Sequence, residues 1–324
     1  MPTAEEIRAE QYLAPETLVQ LAPFELRAKM IIEGVMSGMH RSPYQGMAVE
    51  FAEHRQYAVG DDLKHLDWKV FGRTDKLYVK RYQQETNLDV ILLVDASASM
   101  TFGSMVVPRG WGRTTVGGAG RPWTKYDHAA ALSAAIAYIC LHQQDRVGLY
   151  VFADGLKTIL ERTSVHDQWR RVVAALSRET AEAATDIVKT TDQVLGRVTN
   201  RALFVIVSDF FEAAESVRHS LARFRHQRHD VILLQTLDRQ EMRFAFNQAA
   251  PFEGMEAEGT LQVEPRALRE AFLEAISGHC NTIARAARSF GFDHQLLDTH
   301  QSVGPTLAYL LARRDAFLRR SKVG

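Results

Sequence analysis

Short apolar runs alternate with amphipathic stretches from Asp89 onward, and this alternation limits the folds open to the chain. The runs are rich in Val, Ile and Leu, as expected of strands buried on both faces. Alternating strands and helices predict an α/β fold with a doubly wound, mainly parallel sheet. The predicted strands are Asp89–Val94, Arg146–Phe152, Ala202–Val207, Val231–Leu237 and Phe292–Leu297.

The stretches between these strands carry apolar residues at helical spacing, and several begin with an acidic residue, which favours a helix start. The tripeptide Ala153-Asp154-Gly155 is a hairpin signal and predicts one antiparallel strand pair. The predicted helices are Tyr126–Gln143, Asp167–Ser177, Asp186–Val198, Ala213–His226, Pro265–Phe290 and Pro305–Leu318.

The sequence divides into two parts of different texture. Residues 1–86 form an N-terminal appendage, in which Pro15–Gly38 has the spacing of an amphipathic helix and the remainder is rich in Arg, Asp and Trp. Residues 87–324 form the α/β domain. Short strands are predicted at Val49–Phe51 and Leu77–Tyr82.

Composition limits the partners of the chain. Lys plus Arg equals Asp plus Glu at 39 residues each, so the net charge is zero and gives no overall attraction to nucleic acid or anionic lipid. The apolar stretch Ala129–Leu141 is shorter than the roughly 18 to 20 residues that span a bilayer. No secretion signal is visible, and Cys140 and Cys280 are expected to be buried thiols. We therefore expect a cytoplasmic protein without a nucleic-acid partner or a membrane span.

Oxygen-bearing side chains follow two of the predicted strands. Asp95, Ser97 and Ser99 come directly after the first strand, and Asp209 follows the third. Thr185 precedes a predicted helix and could supply a further oxygen. Ligands of open α/β sheets bind at the carboxyl ends of the strands, and such oxygen ligands suit Mg²⁺, or Mn²⁺ in its place.

This pattern resembles the metal-ion-dependent adhesion site of von Willebrand factor A domains, which have the same doubly wound fold. The resemblance implies direct ligation of the metal by Ser97, Ser99 and Thr185, with Asp95 and Asp209 acting mainly through water. It also implies that a partner protein supplies a carboxylate to the open metal position. Many relatives have Gly-Gly before the threonine where this chain has Ala183-Ala184, so Thr180 is a second candidate for that ligand.

A second set of residues precedes the first strand of the α/β domain. Together these residues resemble the signature of the bacterial family known as domain of unknown function 58, which often occurs with MoxR-type AAA+ ATPases. The resemblance implies such an ATPase as a partner. The residues that carry it are His40-Arg41-Ser42, Gly46, Phe51, Arg55–Asp62, Leu66-Asp67-Trp68 and Gly72-Arg73.

Residues 102–124 are a departure from the family pattern. This insertion contains six glycines and follows the Asp95, Ser97 and Ser99 cluster directly, so we expect a mobile surface loop beside the metal. In that position it could influence the choice of partner or cover the site.

Two other functions remain open for the same residues. Asp95 could be the nucleophile of a metal-dependent phosphohydrolase, although Ser97 stands where haloacid-dehalogenase-like enzymes have their second Asp. Alternatively, the metal site is vestigial and the protein is a metal-independent scaffold. Because the sequence lacks the common nucleotide-binding and hydrolase motifs, we expect a binding protein rather than an enzyme.

Two charged clusters have structural interpretations that we prefer to functional ones. The first is expected to fasten the appendage through ion pairs, with a docking face as the alternative. The second, a basic helix end, is expected to be a solvated face rather than an acidic-partner or nucleic-acid patch. The first cluster is Arg55, Asp61, Asp67, Trp68 and Arg73; the second is Arg218, His219, Arg223, Arg225, His226, Arg228 and His229.

Overall fold

A computed structural model describes most of the chain, and its described residues fall into two compact units. The smaller unit comprises residues 39–87, and the larger contains residues 88–324. The helix expected at Pro15–Gly38 and the strand expected at Val49–Phe51 lie outside the described residues. The described residues are 53–56, 68–74, 76–81, 88–105, 122–165, 167–179, 181, 184–246, 250–253 and 260–310.

The smaller unit contains a two-stranded antiparallel sheet and a short helix. Strand β1 (Glu53–Gln56) pairs with β2 (Tyr78–Arg81), and helix α1 (Trp68–Thr74) lies between them in the chain. Strand β2 agrees with the strand predicted at Leu77–Tyr82. Helix α1 was not predicted, because it is only seven residues long and includes Gly72.

The larger unit is built on a six-stranded sheet in the spatial order β10-β7-β6-β3-β4-β5. All neighbouring strands are parallel except β4 and β5, so the predicted mainly parallel α/β sheet is confirmed. Two further strands, β8 and β9, form a separate antiparallel pair. The strands are β3 (Asp89–Asp95), β4 (Arg146–Phe152), β5 (Leu156–Thr163), β6 (Leu203–Ser208), β7 (Asp230–Leu237), β8 (Ala250–Glu253), β9 (Thr260–Val263) and β10 (Asp293–Asp298).

Helices connect the parallel strands, with bounds within a few residues of the predicted ones. Helix α6 was not predicted, because its five residues are too few to show helical periodicity. Of the closing helix predicted at Pro305–Leu318, residues 304–310 are helical and the remainder lies outside the described part. The helices are α2 (Lys125–His142), α3 (Gln168–Arg178), α4 (Ile187–Leu195), α5 (Ala214–His226), α6 (Arg239–Arg243) and α7 (Pro265–Ser289).

Apolar side chains from both faces of the sheet pack against helices. On one face, Ile91 and Leu93 of β3 lie in a core that includes residues of α4, α5 and α7. On the other face, Val90 lines an apolar cleft with Ile136 of α2 and Leu307 of the closing helix. Burial on both faces explains why the strands are continuous apolar runs rather than alternating ones.

The predicted hairpin between β4 and β5 is confirmed. The Ala153 amide donates to the Gly155 carbonyl over 3.0 Å, and Gly155 has a φ of 149°, which only glycine adopts readily. Cys140 and Cys280 are buried thiols, as expected. Among the described helices, none is both long and apolar enough to cross a membrane.

Candidate functional site

The oxygen-bearing residues meet at the carboxyl ends of two adjacent parallel strands. Asp95 is the last residue of β3, and Asp209 directly follows β6, whose Val207 lies opposite Val94 of β3. This edge is where ligands bind to open α/β sheets. The structure therefore brings the two predicted aspartates to one place, as their positions after strands indicated.

Asp95 is fully buried, and both of its carboxylate oxygens accept hydrogen bonds. The Ser97 amide donates to Oδ1 over 2.8 Å, and the Ser208 hydroxyl donates to Oδ2 over 2.5 Å. Burial, followed by the negative charge of Asp209, raises the pKa of Asp95 to about 7, although the hydrogen bonds from Ser208 and Ser97 oppose this shift. A carboxylate in this environment gains stability from a nearby cation.

Ser97 and Ser99 place two hydroxyl groups beside this carboxylate. Ser97 has an extended backbone and immediately precedes a 3-10 helix at Ala98–Thr101. The two Oγ atoms are 3.1 Å apart; Ser97 is buried, whereas Ser99 is half-buried. The spacing of two residues thus turns both hydroxyls to one point, where they could act together as oxygen ligands.

Several hydrogen bonds fix the turn that carries Asp209. Its carbonyl accepts from Gln235 Nε2 over 2.9 Å, and its Oδ1 accepts from the Phe211 amide over 3.2 Å. Phe210 has a φ of 55°, a left-handed conformation that is uncommon for a bulky residue. Its carbonyl lies 2.7 Å from His279 Nε2 of α7, which donates to it. The neighbouring elements therefore hold this turn in a strained conformation that positions the Asp209 carboxylate.

Sequence reasoning missed Lys125, the first residue of α2. Its side chain is fully buried, and its Nζ donates to Asp209 Oδ2 over 2.8 Å and to Glu241 Oε1 over 2.7 Å. Nζ also lies 4.5 Å from the centre of the Phe211 ring, a cation–π contact. Burial alone lowers the pKa of Lys125, but the charges of Asp209 and Glu241 outweigh it and hold the pKa above its ordinary value. Lys125 is therefore a buried cation at the site.

Thr185 lies in the segment before α4 and is half-buried. The next two amides fix this segment: Asp186 donates to the Ala153 carbonyl over 2.9 Å, and Ile187 donates to Glu212 Oε1 over 2.9 Å. These contacts tie the segment to the chain after β4 and after β6, the two strands that flank β3. No hydrogen bond joins Thr185 to the other four candidate ligands in the described structure. Thr180 lies outside the described residues.

The charges of the cluster do not balance when its members are ionised. Asp95, Asp209 and Glu241 supply three negative charges, and Lys125 supplies one positive charge. Buried excess charge is costly, and a divalent cation would neutralise it. In the described part of the chain, no group of three or more His, Cys, Asp or Glu side chains is placed to hold a metal. The hydroxyl and carboxylate donors nevertheless suit a hard cation such as Mg²⁺.

The two ends of the insertion form a closed neck beside this site. We use "neck" for residues 102–105 and 122–125. Met105 and Trp123 form an antiparallel bridge, and the Lys125 amide donates to the Phe102 carbonyl over 2.8 Å. The Ser104 amide donates to Asp238 Oδ2 over 3.0 Å, which anchors the neck to the end of β7. The loop expected across the rest of the insertion lies outside the described residues.

Comparison with known proteins identifies the family. The family model "Protein of unknown function DUF58" matches residues 53–282, which is more than half of the chain. The chain belongs to the DUF58 family. The larger unit of this DUF58 chain has the α/β architecture expected from the sequence, a mostly parallel six-stranded sheet with helices on both faces.

Relatives of the DUF58 chain include uncharacterized proteins of Mycobacterium tuberculosis and Mycobacterium bovis. Each is 27% identical over 283 residues, which cover 86% of this chain and 83% of the relative. Among solved structures, the conserved hypothetical protein BatB from Bacteroides thetaiotaomicron has a TM-score of 0.46 and 16% identity, covering 72% of this chain and all of that one. The SpRpn10 VWA domain has a TM-score of 0.39 and 11% identity, covering 69% and 94%.

The two charged clusters predicted in this DUF58 protein differ in how much the structure describes. Of the N-terminal cluster, only Arg73 has a described side chain, and it is exposed. In the basic cluster, Arg218 pairs with Glu215 over 2.9 Å and His229 is buried. The exposed Arg218 agrees with the interpretation of this cluster as a solvated helix face, whereas His229, which lies beyond the end of α5, is buried and does not belong to that face.

The raised pKa of Asp95 predicts a specific pH dependence of stability. The folded protein keeps a proton on Asp95 up to about pH 7, whereas the unfolded chain loses it near 3.8, so the contribution of this group falls as pH rises between those values. We expect the free energy of unfolding of Asp95→Asn, minus that of the unaltered protein, to be about 3 kcal/mol larger at pH 8 than at pH 5. Urea unfolding in EDTA measures this difference. Buried His128, whose pKa is lowered to about 4, contributes equally to the pH dependence of both proteins, so its contribution cancels in the comparison. An equal difference at both pH values would contradict the prediction.

Proposed function

We propose that this DUF58 protein is a cytoplasmic protein-interaction module that depends on a divalent cation, Mg²⁺ or Mn²⁺. One observation carries the proposal: the paired hydroxyls of Ser97 and Ser99 lie beside the buried carboxylates at the carboxyl edge of the sheet. Lys125 neutralises only part of the negative charge there. A hard divalent cation supplies the missing charge and takes oxygen ligands of this kind.

The proposed ligands follow the adhesion-site pattern. Ser97, Ser99 and Thr185 would bind the cation directly, and Asp95 and Asp209 would act mainly through water. The bound cation would attract a carboxylate from a partner protein at its remaining position. Within the chain, Ser208 and the Ser97 amide orient Asp95, while Gln235 and His279 fix the turn that carries Asp209.

The proposed partner is a MoxR-type AAA+ ATPase, for which the protein would be an adaptor or a substrate-recruiting subunit. The family resemblance supports this partner, and the geometry supports binding over catalysis. A phosphohydrolase using Asp95 needs an accessible carboxylate oxygen as nucleophile. Asp95 is fully buried, and both oxygens already accept hydrogen bonds.

A metal-independent scaffold is the second candidate, and one observation favours it. The Lys125 ammonium already pairs with Asp209 at 2.8 Å, so the site has a cation of its own. In that case the same surface would bind a partner without metal. The two candidates differ in a single measurable property, the requirement of partner binding for a divalent cation.

Partner binding by Ser99→Ala tests the proposal. A purified MoxR-type ATPase from the same organism is expected to bind the immobilised protein in Mg²⁺, to dissociate in EDTA and to rebind in Mn²⁺. Because Ser99→Ala removes one oxygen ligand, we expect affinity to fall about tenfold or more, whereas Ser277→Ala, an exposed serine on α7, leaves it unchanged. Surface plasmon resonance measures both. Equal binding in Mg²⁺ and EDTA would instead favour the metal-independent scaffold.

A further inference from the structure

Lys125 carries a positive charge at a place in the fold that disfavours one. It is the first residue of α2, where the helix dipole is positive, and its side chain is fully buried. A lysine at this position is stable only because two carboxylates, Asp209 and Glu241, approach its ammonium within 2.8 Å. Violations of local preference of this kind cluster at functional sites.

The two carboxylates that hold Lys125 differ in their surroundings. Asp209 belongs to the proposed metal site, and its side chain is almost fully buried. Glu241 lies in the first turn of α6, and its second oxygen, Oε2, accepts from the Asp238 amide over 2.7 Å. Asp238 in turn anchors Ser104 of the neck. Glu241 is therefore an acceptor whose orientation is fixed by the Asp238 amide, and it does not belong to the proposed ligand set.

A divalent cation and the Lys125 ammonium compete for the same carboxylate. A cation that draws on the negative charge of Asp209 repels a positive charge that bonds to Asp209 Oδ2. The ammonium can give up its bond to Asp209 and still be paired with a carboxylate, because its bond to Glu241 Oε1 is as short as its bond to Asp209. The chain thus contains both the competing charge and the acceptor that retains it.

We propose that Lys125 is a tethered cation that shares Asp209 with the divalent cation, and that Glu241 retains the ammonium when the metal binds. The inference rests on the metal site of the proposed function. In the metal-free protein, Lys125 compensates part of the buried negative charge through its bonds to Asp209 and Glu241. With metal bound, Lys125 lowers the affinity and Glu241 raises it, so the pair sets the concentration at which the site fills.

Removing each member of the pair should change metal affinity in opposite directions. The probe is MgCl₂ or MnCl₂ alone, titrated into the full chain by calorimetry. We expect Lys125→Met to bind about tenfold more tightly, because the competing charge is gone, and Glu241→Gln to bind about tenfold more weakly, because the ammonium then depends on Asp209. Lys189→Met and Glu270→Gln are the matched controls, since both residues are exposed, and should bind as the unaltered protein does.

The outcomes separate this inference from the proposed function. If the unaltered protein binds Mg²⁺ and neither variant changes the dissociation constant, the pair is structural and the inference is overturned alone. If only Lys125→Met binds, competition is supported and the proposed metal-dependent function is overturned. Binding by none of the proteins overturns both. Circular dichroism checks folding, and if Lys125→Met does not fold, Glu241→Gln decides: weaker binding supports the inference and unchanged binding overturns it.

Discussion

Asp209→Asn is expected to lower the free energy of unfolding by about 3 kcal/mol when divalent cations are absent. The substitution removes one of the two carboxylates that compensate the fully buried ammonium of Lys125. Breaking a buried ion pair from one side costs about 3 to 5 kcal/mol, because the remaining charge stays desolvated. Glu241 keeps its bond to Lys125, so the lower end of that range is expected.

Urea unfolding in EDTA at pH 7 measures this loss. Asp154→Asn is the matched control, since Asp154 is exposed in the turn between β4 and β5 and should change stability little. The double variant Asp209→Asn with Lys125→Met should lose less than the two single variants together, because it removes both charges of the pair. A loss no larger than that of Asp154→Asn would contradict the buried pair.

Gly103→Ala is the second substitution with a large expected effect. A Cβ at this position would lie 2.7 Å from the Trp123 carbonyl carbon and 2.8 Å from Thr124 Cα. Both are backbone atoms, so no side chain can rotate away, and the neck must open. We expect a loss of about 3 kcal/mol, at the upper end of the usual cost of overpacking.

Gly278→Ala provides the control for this prediction. Gly278 lies within α7, and a Cβ there would meet nothing within 4 Å. Alanine is the better helix former, so this variant should gain about 0.5 to 1 kcal/mol. Thermal and urea unfolding of both variants measure the contrast. Equal stability of Gly103→Ala and the unaltered protein would show that the neck does not require this close approach.

The parallel strands of the sheet could be predicted from the sequence because their signal is local, whereas the spatial order of the strands could not. A strand buried on both faces is a continuous apolar run, so the positions of β3 and β4 could be read from where such runs occur in the sequence. Helices α1 and α6 were missed because seven and five residues are too few for a periodic pattern. The position of Asp95 and Asp209 directly after strands likewise brought both to the same edge.

Lys125 could not be paired with its partners from sequence. Asp209 is 84 residues away and Glu241 is 116 residues away, and only the folded sheet brings the three together. The one local signal was the lysine itself, at a helix start that favours negative charge. The hydrogen bond from His279 to the Phe210 carbonyl could not be predicted from sequence either, because every residue has a backbone carbonyl and the identity of residue 210 does not indicate its partner.

The bridge between Met105 and Trp123 makes the chain leave and re-enter the fold at neighbouring points. The number of residues that join those points therefore has little effect on the sheet. Lengthening the connection adds an entropic cost of loop closure that grows only with the logarithm of its length. The number of residues that join Met105 to Trp123 can therefore change in evolution while Lys125 and Asp209 keep their positions. The same property makes this stretch a suitable place to insert an affinity tag or a fluorescent reporter.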